Sequence, residues 1–143
     1  MRISQKAEYA LRAMLDLALH APSSGGARSS EIAKRTRVPR KFLETILLEL
    51  RKAGFVSSKR GPDGGHWLSR DPTRLTVATI LKAIDGATSV ADRGLRPGVS
   101  GAEASLHRLW ARVDEAVSAM VGSVTLEDLR READAQAPID FSI

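Results

Sequence analysis

The segment from residue 38 to residue 68 constrains the fold of this chain more than any other. Its first part has apolar residues at helical spacing behind Pro39, and Gly54 follows the last of them. Proline suits the first helical position, where its missing N–H costs nothing, and glycine adopts the left-handed conformation that often ends a helix. The residues predicted to form the buried stripe are Phe42, Leu43, Ile46, Leu47, Leu50 and Ala53. This part therefore predicts an amphipathic helix with a defined end.

Two short apolar stretches follow that helix, with a glycine-rich turn between them. Phe55 to Lys59 and His66 to Ser69 are typical of strands, and Arg60 to Gly65 is rich in turn formers. A helix followed by such a hairpin is the arrangement of a recognition helix and a β-wing. The sequence thus predicts a mainly α fold with a small β-wing: a winged helix-turn-helix domain plus a long C-terminal helix.

The rest of the chain is predicted to form further helices, each with a capping residue at its start. A side-chain oxygen at the N-cap accepts a backbone N–H that the helix leaves free. The predicted caps are Ser4, Ser29 or Ser30, Thr76, Ser100 with Glu103, and Thr125 with Asp128. We expect residues 1–86 to form a winged helix-turn-helix domain that binds DNA and 87–101 a linker or loop. Residues 102–133 then form a long helix and a short last helix, and 134–143 a flexible tail.

The predicted long helix has an apolar seam. Its members follow one another in steps of four, three, four and three residues, the spacing of a heptad pattern over about two repeats. They are Leu106, Trp110, Val113, Val117 and Met120. Such a seam can pack in the chain's own core or against a second copy. We favour a dimer interface, because a single long helix after a linker has few partners within its own chain.

Composition excludes several classes of site. The chain has no cysteine, so it cannot form disulfides, thiolate zinc sites or cysteine-held iron–sulfur clusters. Its three histidines are far apart, and no nucleophile–base pair, metal triad or nucleotide loop can be assembled, so we predict no enzyme and no metal. No apolar run approaches the roughly 18 residues of a membrane span, and no secretory cleavage pattern is present. We expect a cytoplasmic protein without a membrane partner.

Charge is distributed unevenly along the chain. Residues 1–84 contain 16 Lys/Arg and 7 Asp/Glu, a net charge of +9, whereas residues 85–143 contain 6 and 10, a net charge of −4. A basic first part favours contact with a polyanion such as double-stranded DNA, and an acidic second part does not. A solvated basic surface without a partner is the alternative.

The start of the predicted recognition helix offers candidate base contacts. Arg40 can donate to guanine O6 and N7, Glu44 can accept from a cytosine amino group, and Lys41 suits a phosphate. Thr45 also lies off the apolar stripe, within the first two turns. In the alternative interpretation, Arg40 and Glu44 pair with each other at i,i+4 and read no base.

Further candidate contacts lie on both sides of that helix. The start of the second helix, with Arg28, Ser29 and Ser30, can offer free N–H groups and a dipole to a phosphate. The hairpin tip carries two cations, of which Arg60 is the best candidate for insertion into a minor groove. The remaining hairpin candidates are Lys59, Gly61, Gly64 and His66.

Several long stretches resemble one family. They are ISQKAEYALRAMLDLA, EIAKR, FLETILLELRKAGFVSSKRGPDGGHWL, LTVATILKAIDG and LHRLWARVDEAVSAM followed by VTLEDL. The chain resembles the IscR/NsrR-type, or Rrf-two, family of bacterial winged helix-turn-helix transcription regulators. The resemblance implies a homodimer in which the long helices cross, bound to a palindromic operator. It also implies phosphate contacts at Tyr9 and Ser29, and places His66 where the family often has tyrosine.

The chain departs from this family at its cluster-binding segment. Cluster-binding members carry three cysteines in the segment matching residues 88–105, where this chain has none. Glu8 and His107 resemble non-cysteine ligands of some members, but we interpret both as surface or interface groups. We therefore predict a regulator, a repressor, that needs no cofactor. The alternatives are a winged helix that binds proteins, or a regulator whose loop 87–101 binds a small-molecule or protein effector.

Overall fold

The computed structural model of the chain describes residues 3–21, 25–62, 64–86 and 100–136. Six helices and one antiparallel hairpin make up this part, which confirms the predicted mainly α fold with a small β-wing. The helices are α1 (Gln5–His20), α2 (Ser29–Thr36), α3 (Arg40–Lys52), α4 (Val77–Asp85), α5 (Gly101–Ser123) and α6 (Leu126–Ala135). The strands are β1 (Val56–Lys59) and β2 (Gly65–Leu68), and a 3₁₀ turn spans Pro72–Arg74.

Helix α1 is the centre of the core. Ser4 caps it, since its Oγ accepts the Ala7 N–H at 3.0 Å, as predicted. Its buried face combines small residues with Met14 and Leu17, both fully buried. Small side chains allow close approach, and α1 packs against α2, α3, α4 and α6. This helix therefore sets the positions of the two helices that follow it.

Helix α3 differs from its predicted stripe at Phe42 and at Ala53, which is the half-buried C-cap residue beyond the helix. Leu43, Ile46, Leu47 and Leu50 are buried, but Phe42 is 59% exposed, so its predicted burial is wrong. Each residue turns the helix by about 100°, which places Phe42 at the margin of a stripe centred on its neighbours. The helix begins at Arg40, with Pro39 as its N-cap residue. Gly54 follows with φ of +82°, the left-handed conformation expected behind the helix.

The start of α2 is also different from the prediction. Neither Ser29 nor Ser30 caps this helix, because both already belong to it and Arg28 is the N-cap residue. The Arg28 N–H instead donates to the Glu31 carboxylate at 3.1 Å. Glu31 thus satisfies a free N–H donor at the helix start, and the Ser29 hydroxyl bonds His66 instead.

The hairpin is short and is attached at one side. Strands β1 and β2 pair antiparallel, with Val56 opposite Leu68 and Lys59 opposite Gly65. A separate β-bridge joins Ala27, just before α2, to His66 in β2. The hairpin therefore lies against the start of α2 and near the start of α3.

The last helix belongs to the same core as the first four. Leu126 at its start is fully buried, and its N–H donates to the Leu75 carbonyl at 2.7 Å. The Val77 N–H donates to Val124 O at 2.9 Å in the same crossing. Helix α5 has no buried residue. The chain thus leaves its core along α5 and returns to it in α6.

Two predicted segments fall mostly outside the described residues. Of the predicted loop 87–101, residues 87–99 lie outside, Ser100 caps α5, and Gly101 is the first residue of that helix. Of the predicted tail 134–143, residues 137–143 lie outside, and α6 continues to Ala135. None of the helices in the described part of the chain is both long and apolar enough to span a membrane.

An ion pair between a buried carboxylate and a partly exposed arginine joins α1 to α2. Asp16 is 6% exposed, and Arg35 donates to both of its oxygens, from Nε at 2.9 Å and from Nη2 at 3.0 Å. Arg35→Met leaves this carboxylate without its bidentate partner, so we expect the free energy of unfolding to fall by about 2–3 kcal/mol. Urea denaturation measures this loss. Lys34→Met, at an exposed neighbouring position, is the control, and equal midpoints for the two variants would contradict the prediction.

Candidate nucleic-acid interface

A cleft of about 200 Å³ lies where α2, α3 and the hairpin meet. Residues from three separate stretches of the sequence, most of them predicted as DNA contacts, come together here. They are Arg28, Ser29, Ser30, Arg40, Lys59, Gly61, Gly64, Gly65 and His66. Among the residues that the structure describes, the lining contains three cations and no carboxylate, so this surface is suited to a polyanion.

The shape of the hairpin turn depends on glycine. A Cβ atom on Gly64 would meet the carbonyl oxygen of Lys59, and that of Gly61 at 2.8 Å. The Gly64 N–H donates to Gly61 O at 2.9 Å, which closes the turn. Arg60 lies at this turn and is exposed. The tight turn therefore presents a cation at the tip, as the sequence predicted for a wing.

Arg28 closes the cleft at its other side. Its guanidinium Nη2 donates to the carbonyl oxygen of Pro62 in the hairpin turn. The same residue is the N-cap of α2, so one side chain links the helix start to the turn. Ser30, the next exposed residue of the lining, lies on the first turn of α2.

His66 connects two hydroxyl groups. Its Nε2 lies 2.9 Å from Ser29 Oγ, and its Nδ1 lies 2.6 Å from Ser58 Oγ. Burial lowers the pKa of His66 below its ordinary value; the charge of Glu44 opposes this and that of Arg51 adds to it. The ring is then neutral at neutral pH, and one nitrogen donates while the other accepts. The hydroxyl of Ser29, predicted as a phosphate contact, is engaged by this ring in the free chain.

The start of α3 presents its polar residues to solvent. Arg40, Lys41, Glu44 and Thr45 are all exposed. Arg40 Nε lies 4.0 Å from Glu44 Oε1, and their side chains are 67% and 53% exposed. This is the pairing that the sequence offered as an alternative. Exposed pairs of this kind contribute only about 0.3–0.5 kcal/mol, so it does not prevent either side chain from contacting a base.

A second groove, of about 340 Å³, lies between α1 and α3. It is lined by Gln5, Lys6, Tyr9, Phe42, Thr45 and Ile46. Tyr9 and Thr45, both predicted DNA contacts, therefore lie here and not in the basic cleft. The Tyr9 hydroxyl accepts from Gln5 Nε2 at 2.9 Å. Phe42 is the lining residue whose burial the sequence mispredicted. Its place next to Leu43, at the margin of the helical stripe, could have indicated that it lies beside the core and not in it.

The apolar seam of α5 is largely uncovered in the single chain. Leu106 is 54% exposed, Trp110 39% and Met120 66%, while Val113 and Val117 are half-buried. Exposed apolar surface of this extent on one helix is typical of an interaction site.

A recognition helix, a β-wing and a basic cleft between them define a winged helix-turn-helix transcription regulator. Residues 3–132 match the family model Rrf2, described as iron-dependent transcriptional regulators, and the chain belongs to the Rrf2 family. This membership confirms the predicted family and the predicted class, a DNA-binding transcription regulator and not an enzyme.

Similar proteins agree with this assignment. The chain is 38% identical over 130 residues to the HTH-type transcriptional regulator IscR of Xenorhabdus nematophila, covering 90% of this chain and 79% of the relative. The structure of CymR (YrzC), the global cysteine regulator of B. subtilis, matches with a TM-score of 0.79 and 30% identity over 92% of this chain and 98% of that one. The structure of T. potens IscR matches with a TM-score of 0.77 and 30% identity over 99% and 95%.

The family is described as iron-dependent, but this chain has no thiolates with which to hold an iron–sulfur cluster. The full sequence has no cysteine, so the thiolate donors are missing. Glu8, one of the two family-like ligand positions, is exposed and pairs with Arg12 at 3.2 Å. Within the described residues, no three His, Cys, Asp or Glu side chains gather as a metal site. The residues present do not fit an iron–sulfur cluster.

Proposed function

We propose that this chain is a homodimeric, sequence-specific repressor that binds a palindromic operator without a cluster. The observation that carries the proposal is the basic cleft, in which Arg28, Arg40 and Lys59 converge from three elements. Beside it, the exposed start of α3 offers side chains to base edges. An α-helix fits the major groove of B-DNA, and the residues at its N-terminal end reach base edges first.

Each exposed residue of α3 then has a distinct role. Arg40 donates to guanine O6 and N7, and Glu44 accepts from a cytosine amino group. Lys41 contacts a phosphate, which positions the helix without reading sequence. Thr45, in the groove between α1 and α3, contacts a base or the DNA backbone. Tyr9, in the same groove, contacts a phosphate.

The wing and the start of α2 hold the DNA backbone on the other side. Arg60 enters the minor groove adjacent to the base contacts, where a narrow groove attracts a cation. Lys59, Arg28 and Ser30 contact phosphates, and the glycines of the turn allow the backbone to approach them closely. Ser29 and His66 lie beneath this surface.

The proposed dimer forms through α5. Two copies of its seam would cover the exposed Leu106, Trp110 and Met120, and a two-fold dimer presents two recognition helices to two half-sites. The net charge of −4 in residues 85–143 keeps this part away from DNA. A dimer that occupies a promoter excludes polymerase, so repression requires no further contact. An effector that acts through loop 87–101 is a proposal from the sequence alone.

Selection of genomic fragments on the purified protein tests this function. We expect a small set of fragments sharing one inverted repeat. If Arg28, Lys41 and Lys59 each contact one phosphate, a dimer makes six contacts, and log affinity should fall with log salt at a slope of roughly −5. Fluorescence anisotropy at several salt concentrations measures that slope.

Two variants calibrate the salt experiment. Lys41→Ala removes one phosphate contact per protomer, so the slope should become shallower by roughly 2 for the dimer. Lys82→Ala removes an exposed lysine of α4, which does not line the cleft, and should leave the slope unchanged. Failure to retain any fragment at low salt would contradict the proposal and favour a winged helix that binds a protein.

A further inference from the structure

His66 joins the hairpin to the residues at the start of α2. Its main chain forms both hydrogen bonds of the bridge to Ala27, each at 2.8 Å. Its ring reaches Ser58 within the hairpin and Ser29 on α2. The bond to Ser58 stays inside the wing, whereas the bond to Ser29 links the wing to another element. Both hydroxyl groups lie within hydrogen-bond distance of one imidazole.

The wing needs such a link because it is small. Each of its strands has four residues, and a two-stranded hairpin of this size is marginally stable by itself. Its direction relative to α3 therefore depends on what attaches it to the helices. The Ala27 bridge and the Leu68 N–H, which donates to Ala21 O at 3.3 Å, hold the backbone of β2, and Arg28 holds the turn through Pro62 O. The bond between the His66 ring and Ser29 adds a side-chain link from β2 to α2, which limits rotation of the hairpin about these contacts.

We propose that His66 is a positioning residue that fixes the wing, and with it Arg60, relative to the recognition helix. This inference rests on the proposed function, in which Arg60 contacts the operator. His66 acts through Arg60 and need not touch DNA. Imidazole suits this position because its two nitrogens point in different directions and can bond both serines at once. A tyrosine hydroxyl can donate and accept, but both bonds would have to meet at its one oxygen, whereas the imidazole bonds the two serines from two separate ring atoms.

A double-mutant cycle between His66 and Arg60 tests the proposal. The probe is a DNA duplex containing the inverted repeat recovered by genomic selection, and the readout is affinity by fluorescence anisotropy. We expect Arg60→Ala to weaken binding about tenfold or more in the wild-type background. In a His66→Ala background the wing is already misplaced, so Arg60→Ala should cost less than about twofold. Arg40→Ala should keep its full effect in both backgrounds.

Two conservative variants separate the two ring bonds. The amide of glutamine reaches about as far as Nε2 and can keep the bond to Ser29, whereas the amide of asparagine reaches about as far as Nδ1 and can keep the bond to Ser58. We expect His66→Gln to restore affinity to within about twofold and to restore the full effect of Arg60→Ala. His66→Asn should behave like His66→Ala. Thermal unfolding of each variant confirms that all are folded at the assay temperature.

The outcomes distinguish this inference from the function on which it rests. If Arg40→Ala and Arg60→Ala leave affinity unchanged in the wild-type background, the proposed function fails and the inference fails with it. If both weaken binding but the losses from His66→Ala and Arg60→Ala simply multiply, the proposed function stands and the positioning role is overturned. Equal affinities for His66→Gln and His66→Asn would overturn it as well.

Discussion

Replacing Trp110 and Met120 together by glutamate is expected to make the protein monomeric and to weaken operator binding at least a hundredfold. Both side chains are exposed in the single chain, at 39% and 66%, so the substitutions should leave the chain's own fold intact. In a two-fold interface each substitution occurs twice, and a carboxylate placed in an apolar seam is strongly unfavourable without a partner. Each half-site must then be bound separately, which removes the advantage of linked binding.

Sedimentation and anisotropy measure the two parts of this result. The matched control is Ala111→Glu with Ser118→Glu, which adds the same charge to exposed positions one residue beyond the seam. In a heptad pattern these positions face solvent. We expect the control to remain dimeric and to bind the operator with nearly wild-type affinity. A lower unfolding midpoint with unchanged mass in the Trp110/Met120 variant would instead indicate that the seam packs within its own chain.

The helices were predictable because their signals are local. Ser4, Thr76, Ser100 and Thr125 each cap the helix that the sequence assigned to them. A side-chain oxygen that accepts an N–H three residues ahead requires no knowledge of the rest of the fold. The same holds for the turn of the wing, where the restriction at Gly64 comes from atoms within five residues.

The misassigned residues depend on contacts between distant parts of the chain. Ser29 is a good cap by type, yet its hydroxyl bonds His66, 37 residues later. Phe42 is apolar and helical, but the core is already filled by Leu43 and its successors, so Phe42 lines a groove with α1. The sequence made no assignment for Leu126, and its complete burial and the bond from its N–H to Leu75 O show that it belongs to the core. Helical spacing shows which residues share a face, but not what covers that face.

The residues proposed to contact DNA were identified from the sequence as separate groups, but their arrangement in space was not predictable. The sequence indicates basic residues at a helix start and at a hairpin tip. It does not show that Arg28 bonds the hairpin turn, or that His66 joins the wing to α2. These contacts turn separate cationic segments into one surface. The proposed operator interface therefore depends on the contacts of α2 with α3 and on the bonds between the start of α2 and the wing.

The combined substitution Arg40→Ala and Arg60→Ala is expected to weaken operator binding about a thousandfold. Each contact of this kind contributes about 1–3 kcal/mol of discrimination, and a dimer has two copies of each, so the loss is at least about 4 kcal/mol. Neither side chain supports the fold: Arg40 is 67% exposed, with only a distant pairing to Glu44, and Arg60 is exposed at the wing tip. Circular dichroism and the dimer mass should therefore be unchanged.

The two single variants should lose operator binding in different ways, because Arg40 is proposed to contact the major groove and Arg60 the minor groove. Arg40→Ala should relax the preference for one base pair in each half-site, whereas Arg60→Ala should weaken binding in proportion to how narrow the minor groove is there. Affinities for a panel of operator duplexes, each with one base pair changed, measure both effects. The control, Arg74→Ala with Lys82→Ala, removes the same charge from exposed positions outside the cleft. It should lower operator affinity only by the small amount that follows from the lower net charge of the protein. Wild-type affinity and base preference in the Arg40/Arg60 double variant would show that the cleft and its recognition helix do not form the operator interface.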